Sequence, residues 1–235
     1  MEKRDKLYEG KAKIIYATDD PHLVIQYFKD DATAFNAQKK GSIADKGIVN
    51  NKVSVKLFEL LAANGIETHL EKVLNDREQL VKKVEIVPLE VIVRNKAAGS
   101  LARLMGIDEG TPIACPLLEY SYKNDALGDP LITENHARAF QLATDEELNA
   151  INTYAYKINQ ILTAFFDQLG LELIDFKMEF GRFNGRIILA DEISPDTCRL
   201  WEKGTGKKMD KDRFRHDLGG VEEAYQDVLS RVTSL

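Results

Sequence analysis

The sequence has little cysteine: Cys115 and Cys198 are the only two in 235 residues. Two thiols cannot make a disulfide framework, and neither lies in a CxxC pair, so a reducing compartment is expected. Histidine is also scarce. His22, His69, His136 and His216 are scattered without HExxH or zinc-ligand spacing and read as surface or core residues. No run approaches the ~20 apolar residues that a membrane span requires. The charged start, Met1-Glu2-Lys3-Arg4-Asp5-Lys6, is followed by no apolar stretch, so no signal peptide is read and a cytoplasmic location is expected. A basic excess is missing too. The formal net charge is −6, which argues against a nucleic-acid partner. The small basic groups Lys82-Lys83 and Lys207-Lys208 read as solvated surface, although a small phosphorylated ligand needs only a few cations. Familiar catalytic motifs are absent as well: no GxGxxG, no HRD loop, no GxSxG. Gly204-Thr205-Gly206-Lys207-Lys208 is like the end of a P-loop, but Trp201 stands at the first glycine and no Ser or Thr follows the lysine.

What is present is a pattern of strands followed by helices and hairpins. Leu7-Tyr8, Ile14 to Tyr16 and Leu23 to Phe28 are β-rich runs punctuated by Gly10 and Asp19-Asp20-Pro21, which predicts an antiparallel meander. Val53, Leu57, Leu60 and Leu61 predict a helix over 52–64, stopped by Gly65. Strands are expected over 78–87 and 89–94, a short helix over 99–105, and then a loop-rich stretch holding Pro112, Pro116, Gly128 and Pro130. A long helix starts at a capping box, Thr144-Asp145-Glu146-Glu147. Leu148, Ile151, Ala155, Ile158, Leu162, Phe165 and Leu169 form its apolar stripe, and Gly170 ends it. A hairpin over 171–193, a loop over 194–212 and a final helix marked by Val221, Ala224, Val228 and Leu229 complete the chain. The expected class is α+β, with a small β-rich lobe over 1–87, a larger lobe over 88–235 and a hinge near Val87-Pro88.

Four segments carry candidate chemistry. In Asp175-Phe176-Lys177-Met178-Glu179-Phe180-Gly181, alternation puts Asp175, Lys177 and Glu179 on one face and Phe176, Met178 and Phe180 on the other. Such a charged face is either solvated or a site. The return strand supplies Asp191 and Glu192 after an apolar run, and hard carboxylate oxygens suit Mg²⁺. A two-residue Asn184-Gly185 turn would put Glu179 and Asp191 on opposite faces; a three-residue loop would put them on one. Glu9-Gly10-Lys11-Ala12-Lys13 is either a phosphate-binding turn or an ordinary hairpin tip with exposed lysines. Glu90 and Arg94 share a strand face ahead of Gly99-Ser100, where a helix opens. That suits a phosphate, or else an N-cap and a surface arginine. Ser194-Pro195-Asp196-Thr197-Cys198-Arg199 is a loop close enough for Asp196 and Arg199 to reach the same cleft.

Ile86 to Arg94 with Ala98-Gly99-Ser100, and Leu173 to Gly181, resemble the two signatures of the SAICAR (phosphoribosylaminoimidazole-succinocarboxamide) synthetase family. Tyr8 to Lys13 and Asp191 to Asp196 also match the family pattern, so the similarity runs nearly end to end. Phe35-Asn36-Ala37 departs from it, since relatives often have glycine at the third position. The resemblance implies a two-lobed nucleotide fold akin to ATP-grasp enzymes and kinases. It implies that ATP and Mg²⁺ serve to join the carboxylate of carboxyaminoimidazole ribonucleotide (CAIR) to the amine of L-aspartate, in a cytoplasmic homodimer. A carboxylate is a poor acylating agent, so ATP must first convert it to an acyl phosphate, which the amine then attacks; both steps need negative charge neutralised and reactants aligned.

By resemblance, Lys11, Ala12, Lys13 and Lys123 contact the ATP phosphates, adenine lies near Lys82 and Val84, and Glu179 and Asp191 hold Mg²⁺. Lys177 bridges the reacting groups. Arg94, Ser100 and Arg199 grip the 5′-phosphate. Glu90, Asp129 and Asp196 serve the imidazole, the ribose or a second Mg²⁺, with Asp196 taken as catalytic alongside Lys177. Asp45-Lys46-Gly47 and Asn50-Asn51 shape the aspartate pocket. A small-molecule kinase and a non-catalytic nucleotide-binding regulator are the rival readings; intact Lys177, Glu179 and Asp191 argue against the second.

Overall fold

The computed structural model describes residues 1–34 and 38–235; Phe35, Asn36 and Ala37, with their departure from the family pattern, lie outside the described residues. The β-branched and aromatic runs form β1 (Lys6–Glu9), β2 (Lys13–Ala17) and β3 (Leu23–Phe28), paired antiparallel as the pattern predicts. A ribbon of β4 (Asp31–Ala34) and β5 (Lys39–Ser42) leads into α1 (Lys46–Ala63). The apolar period places this helix from Lys52, but it starts at Lys46. Its extra turns bury Lys46, Asn50 and Asn51, polar positions that a hydrophobic count passes over. β6 (Leu70–Asn75) and β7 (Glu78–Lys82) complete a five-stranded sheet in the order β1-β2-β3-β7-β6.

The chain then enters a second sheet through β8 (Glu85–Ile86) and β9 (Leu89–Lys96). α2 (Gly99–Met105) opens where Gly99-Ser100 predicts it. The stretch expected as loop holds β10 (Pro112–Tyr122), β11 (Leu131–Ile132) and α3 (Glu134–Ala139). Two prolines disguise β10. Pro112 begins the strand, and Pro116 falls in the register shift between Pro112 and Leu117, where the ladder is already interrupted.

α4 (Asp145–Gln168) is capped as expected. The Thr144 hydroxyl accepts from the Glu147 N–H, and the Glu147 carboxylate accepts from the Thr144 N–H. Its stripe from Leu148 to Phe166 is buried against β12 (Leu171–Phe183), which turns into β13 (Arg186–Ala190). β14 (Cys198–Glu202), α5 (Asp212–Arg215) and α6 (Val221–Thr233) follow, β14 inside the stretch expected as loop and α5 starting at its last residue. The seven-stranded sheet runs β11-β10-β9-β12-β13, with β8 and β14 also paired to β12. α6 packs on α1, and Phe58, Phe166, Phe176, Phe180 and Tyr225 are fully buried between helices and strands. Burial on this scale contributes about 1.5–3 kcal/mol for each large apolar side chain. The α+β class is as the sequence pattern predicts.

The hairpin register is settled by its turn. Phe183 pairs with Arg186, and Asn184 and Gly185 have φ of 50° and 75°, the left-handed pair of a two-residue turn. Glu179 therefore faces Ala190 across the ladder, and Asp191 falls out of phase with it. The strand stops there. Asp191 takes φ 59°, which breaks the alternation and redirects the chain, and both Glu179 and Asp191 face one cavity.

Candidate active site

β12 crosses the floor of a cavity of about 440 Å³, lined by acidic and basic side chains in equal number. The volume suits small-molecule ligands. Phe176, Met178 and Phe180 pack below the strand in the core, while Asp175, Lys177 and Glu179 stand above it in the cavity. At ~3.3 Å per residue, these three groups mark out ~13 Å of cavity floor.

At the Glu179 end, three lysines converge. Lys123 donates to Glu179 at 2.7 Å, and Lys11 donates to Asp125 at 2.7 Å. Lys13 is buried, bonded to Asp191 and 3.0 Å from Glu192. Burial would lower the Lys13 pKa, but Asp191 and Glu192 outweigh it and hold the ammonium above its ordinary value. Burial would raise Asp191, but Lys13, Lys177 and Lys123 keep it well below the usual carboxylate range.

Lys177 sits mid-strand and donates to Glu90 and Glu179, each at 2.8 Å. Desolvation opposes its charge, yet Glu179, Glu90 and Asp191 raise its pKa well above the ordinary lysine value. It is a fixed cation, not a proton donor or acceptor near neutral pH.

At the Asp175 end, Asp175 faces Arg94 on β9 and Arg199 on β14 in the ladder registers on its two sides. Arg94 donates to Asp175 at 2.8 Å and to the Ser100 hydroxyl at 2.8 Å. Arg199 donates to both Asp175 oxygens at 3.0 and 2.8 Å. Gly99, with φ 54°, lets Arg199 press against the backbone; a Cβ there would lie 2.3 Å from its Nη2.

Asp196 reaches the wall but is committed below it. Its carboxylate accepts from Lys46 at 2.8 Å, Lys211 at 3.4 Å and the Tyr225 hydroxyl at 2.6 Å. Burial opposes its charge, and Lys211 and Lys46 nonetheless hold its pKa far below the carboxylate range. This is an anchoring geometry, since two ammonium groups and a hydroxyl hold the ionised carboxylate in place.

Lys11, Ala12, Lys13, Glu90, Arg94 and Ser100 all line this one cavity, as do Lys123, Asp129, Lys177, Glu179, Asp191, Asp196 and Arg199. Lys82 and Val84 do not. The Lys82 ammonium lies 3.3 Å from the Thr68 carbonyl, and Val84 packs against Gly181, where a Cβ would come within 2.4 Å of it. Lys46 is buried beneath the cavity on Asp196, and Asn50 is buried with both side-chain polar atoms unpartnered among the described residues. Glu192, offered with Asp191 by the return strand, faces the cavity too, whereas sequence reasoning passes over Lys211 and Arg215, which also line it. The density of charge over 207–215, across the end of the expected loop, is the only signal that points toward those two.

The SAICAR synthetase family profile matches residues 6–232. The chain belongs to the SAICAR synthetase family. It is 58% identical over 233 residues to the phosphoribosylaminoimidazole-succinocarboxamide synthase of Clostridium acetobutylicum, covering 99% of both chains. The crystal structure of the Ehrlichia chaffeensis enzyme of that name superposes with a TM-score of 0.96 at 49% identity, covering 98% of this chain and 99% of that one. A SAICAR synthetase solved in complex with ADP has a TM-score of 0.94 at 44% identity, covering 97% of each chain.

Proposed function

We propose that the protein is an ATP-dependent ligase. It joins the carboxylate of CAIR to the amine of L-aspartate, giving SAICAR, ADP and phosphate in purine synthesis. The observation that carries this reading is Lys177. It is one fixed cation midway along a strand, with a lysine cluster at one end and two arginines at the other. That layout accepts two anionic partners end to end and places a positive charge where their reacting groups meet.

The ATP phosphates lie toward Lys11, Lys13 and Lys123, and the 5′-phosphate of the ribonucleotide toward Arg94, Ser100 and Arg199. The substrate carboxylate oxygen attacks the γ-phosphorus, the bond to the β-phosphate oxygen breaks, and ADP leaves. Lys177 offsets the charge crowded between carboxylate and phosphate. The aspartate amine then adds to the acyl carbon and phosphate departs, while the proton lost by the amine passes to solvent. Asp175 aligns the arginines, and Asp196 fixes the turn that leads into Arg199 on β14.

The residues fit Mg²⁺ of a particular kind. Among the described residues no group of three or more His, Cys, Asp or Glu side chains forms a metal cage. Mg²⁺ bound through phosphates needs only one or two protein carboxylates, and Glu179 and Asp191 supply two hard-oxygen groups facing the lysine end. Bound there, the metal would neutralise charge on the ATP phosphates. The proposal includes a cytoplasmic location, supported by the unpaired Cys115 and Cys198, and a homodimer, for which exposed Leu104, Met105 and Ile107 supply apolar surface.

Incubation with ATP, Mg²⁺ and CAIR, with and without L-aspartate, tests the reading. A ligase gives the succinocarboxamide by mass spectrometry only when aspartate is present, with one phosphate released per amide. Phosphate transfer that ignores aspartate, with no amide, would indicate a small-molecule kinase and overturn the ligase reading.

A further inference from the structure

Five charged side chains form one row across the second sheet: Glu119 on β10, Arg94 on β9, Asp175 on β12, Arg199 on β14 and Asp212 at the start of α5. The signs alternate along the row. Arg94 Nε donates to Glu119 at 2.5 Å and Nη1 to Asp175 at 2.8 Å. Arg199 Nε donates to Asp212 at 2.9 Å and Nη1 to Asp175. What remains is Nη2 on each arginine, and both point to one place. Arg94 Nη2 bonds Ser100, and Arg199 Nη2 lies against Gly99 and makes no hydrogen bond among the described residues.

The outer carboxylates differ from Asp175 in one respect. Neither Glu119 nor Asp212 lines the cavity, and their side chains are 10% and 1% exposed. Each reaches its arginine from behind. Asp212 is itself fixed: its N–H donates to Asp210 at 2.7 Å, and its other oxygen takes Arg215 at 2.6 Å. A guanidinium is planar, so fixing Nε and Nη1 fixes the direction of Nη2.

We propose that Glu119 and Asp212 are positioning residues, which aim Arg94 and Arg199 at the 5′-phosphate of the ribonucleotide without touching it. The proposal rests on the ligase reading. It holds that selectivity for a phosphorylated substrate over its riboside is set by two carboxylates outside the site.

The test measures kcat/KM for CAIR and for its 5′-dephospho riboside with wild type, Glu119→Gln and Asp212→Asn. Each variant keeps shape and removes charge from one end of the row, so either can carry the test if the other fails to fold. Expected is a loss of about 10- to 100-fold in kcat/KM on the ribonucleotide, the scale of a hydrogen bond to a charged group. That loss should fall on KM for the ribonucleotide, with kcat and KM for ATP retained and kcat/KM on the riboside unchanged. Equal losses on both substrates would make the carboxylates merely structural and overturn the proposal, as would no loss on either. If wild type forms no amide from CAIR, the ligase reading falls and this proposal with it.

Discussion

Replacing Asp196 by Ala should cost about 3–5 kcal/mol of folding stability, because it removes the counter-charge from a buried ammonium. Lys46 is fully buried, and Asp196 is its only ion-pair partner among the described residues, at 2.8 Å. Lys211 also loses its partner at 3.4 Å, and the Tyr225 hydroxyl loses its acceptor at 2.6 Å. For a chain of this length, such a loss lowers Tm by roughly 6–20 °C. The effect carries a pH signature. The Asp196 pKa is depressed in the folded state, so its contribution is complete above the ordinary carboxylate pKa near 3.8, begins to fall below that pH and is lost only as pH drops through the much lower folded value. Urea unfolding of wild type and Asp196→Ala at pH 7 and at pH 3 measures both. The gap should be widest at pH 7 and smaller by about 1 kcal/mol at pH 3. A gap under about 1 kcal/mol at pH 7, or one that does not shrink in acid, would refute the buried-anchor argument. Replacing Lys46 by Met in the same variant should recover part of the loss, since the unpaired charge goes with it.

Gly99→Ala places a Cβ 2.3 Å from Arg199 Nη2 at φ 54°, so Arg199 must move. KM for the ribonucleotide should rise about 10-fold or more with KM for ATP unchanged, and unaltered kinetics would contradict the close approach. Glu179→Gln should keep the fold but lower kcat by roughly 10²-fold or more and raise the Mg²⁺ concentration for half-maximal rate; near-normal turnover at low Mg²⁺ would show the metal is held elsewhere. Lys177→Met should lower kcat much more than it raises either KM, because the charge acts where the reacting groups meet, and a pure KM effect would assign it to binding alone.

The fold was legible where one physical signal dominated. The capping box at Thr144, the helical stripe through Phe165 and the alternation of Asp175, Lys177 and Glu179 each depend on local sequence alone. It was illegible where burial is polar or where prolines sit at ladder breaks. Lys46, Asn50 and Asn51 are buried on α1, yet nothing apolar marks them. Pro112 and Pro116 suggest loop, and only the β9 register shows that neither removes a ladder bond the strand needs. The candidate site followed the same rule. Alternation placed Lys177 and Glu179 in the cavity, but Asp191 arrives through a left-handed residue after a two-residue turn, which no pattern of period two conveys. The loop places Asp196 at the cleft, but its partners Lys46, Lys211 and Tyr225 come from α1, the segment before α5 and α6. Such convergence is set by tertiary packing, so spacing along the chain does not reveal it.

The central claim is that the cavity joins a substrate carboxylate to the γ-phosphate before the amine attacks. CAIR labelled with ¹⁸O in its carboxylate tests it most directly. An acyl phosphate requires one labelled oxygen to leave with the phosphate, so each inorganic phosphate released should carry one ¹⁸O and the amide should keep the other. Unlabelled phosphate formed alongside labelled amide would contradict the account.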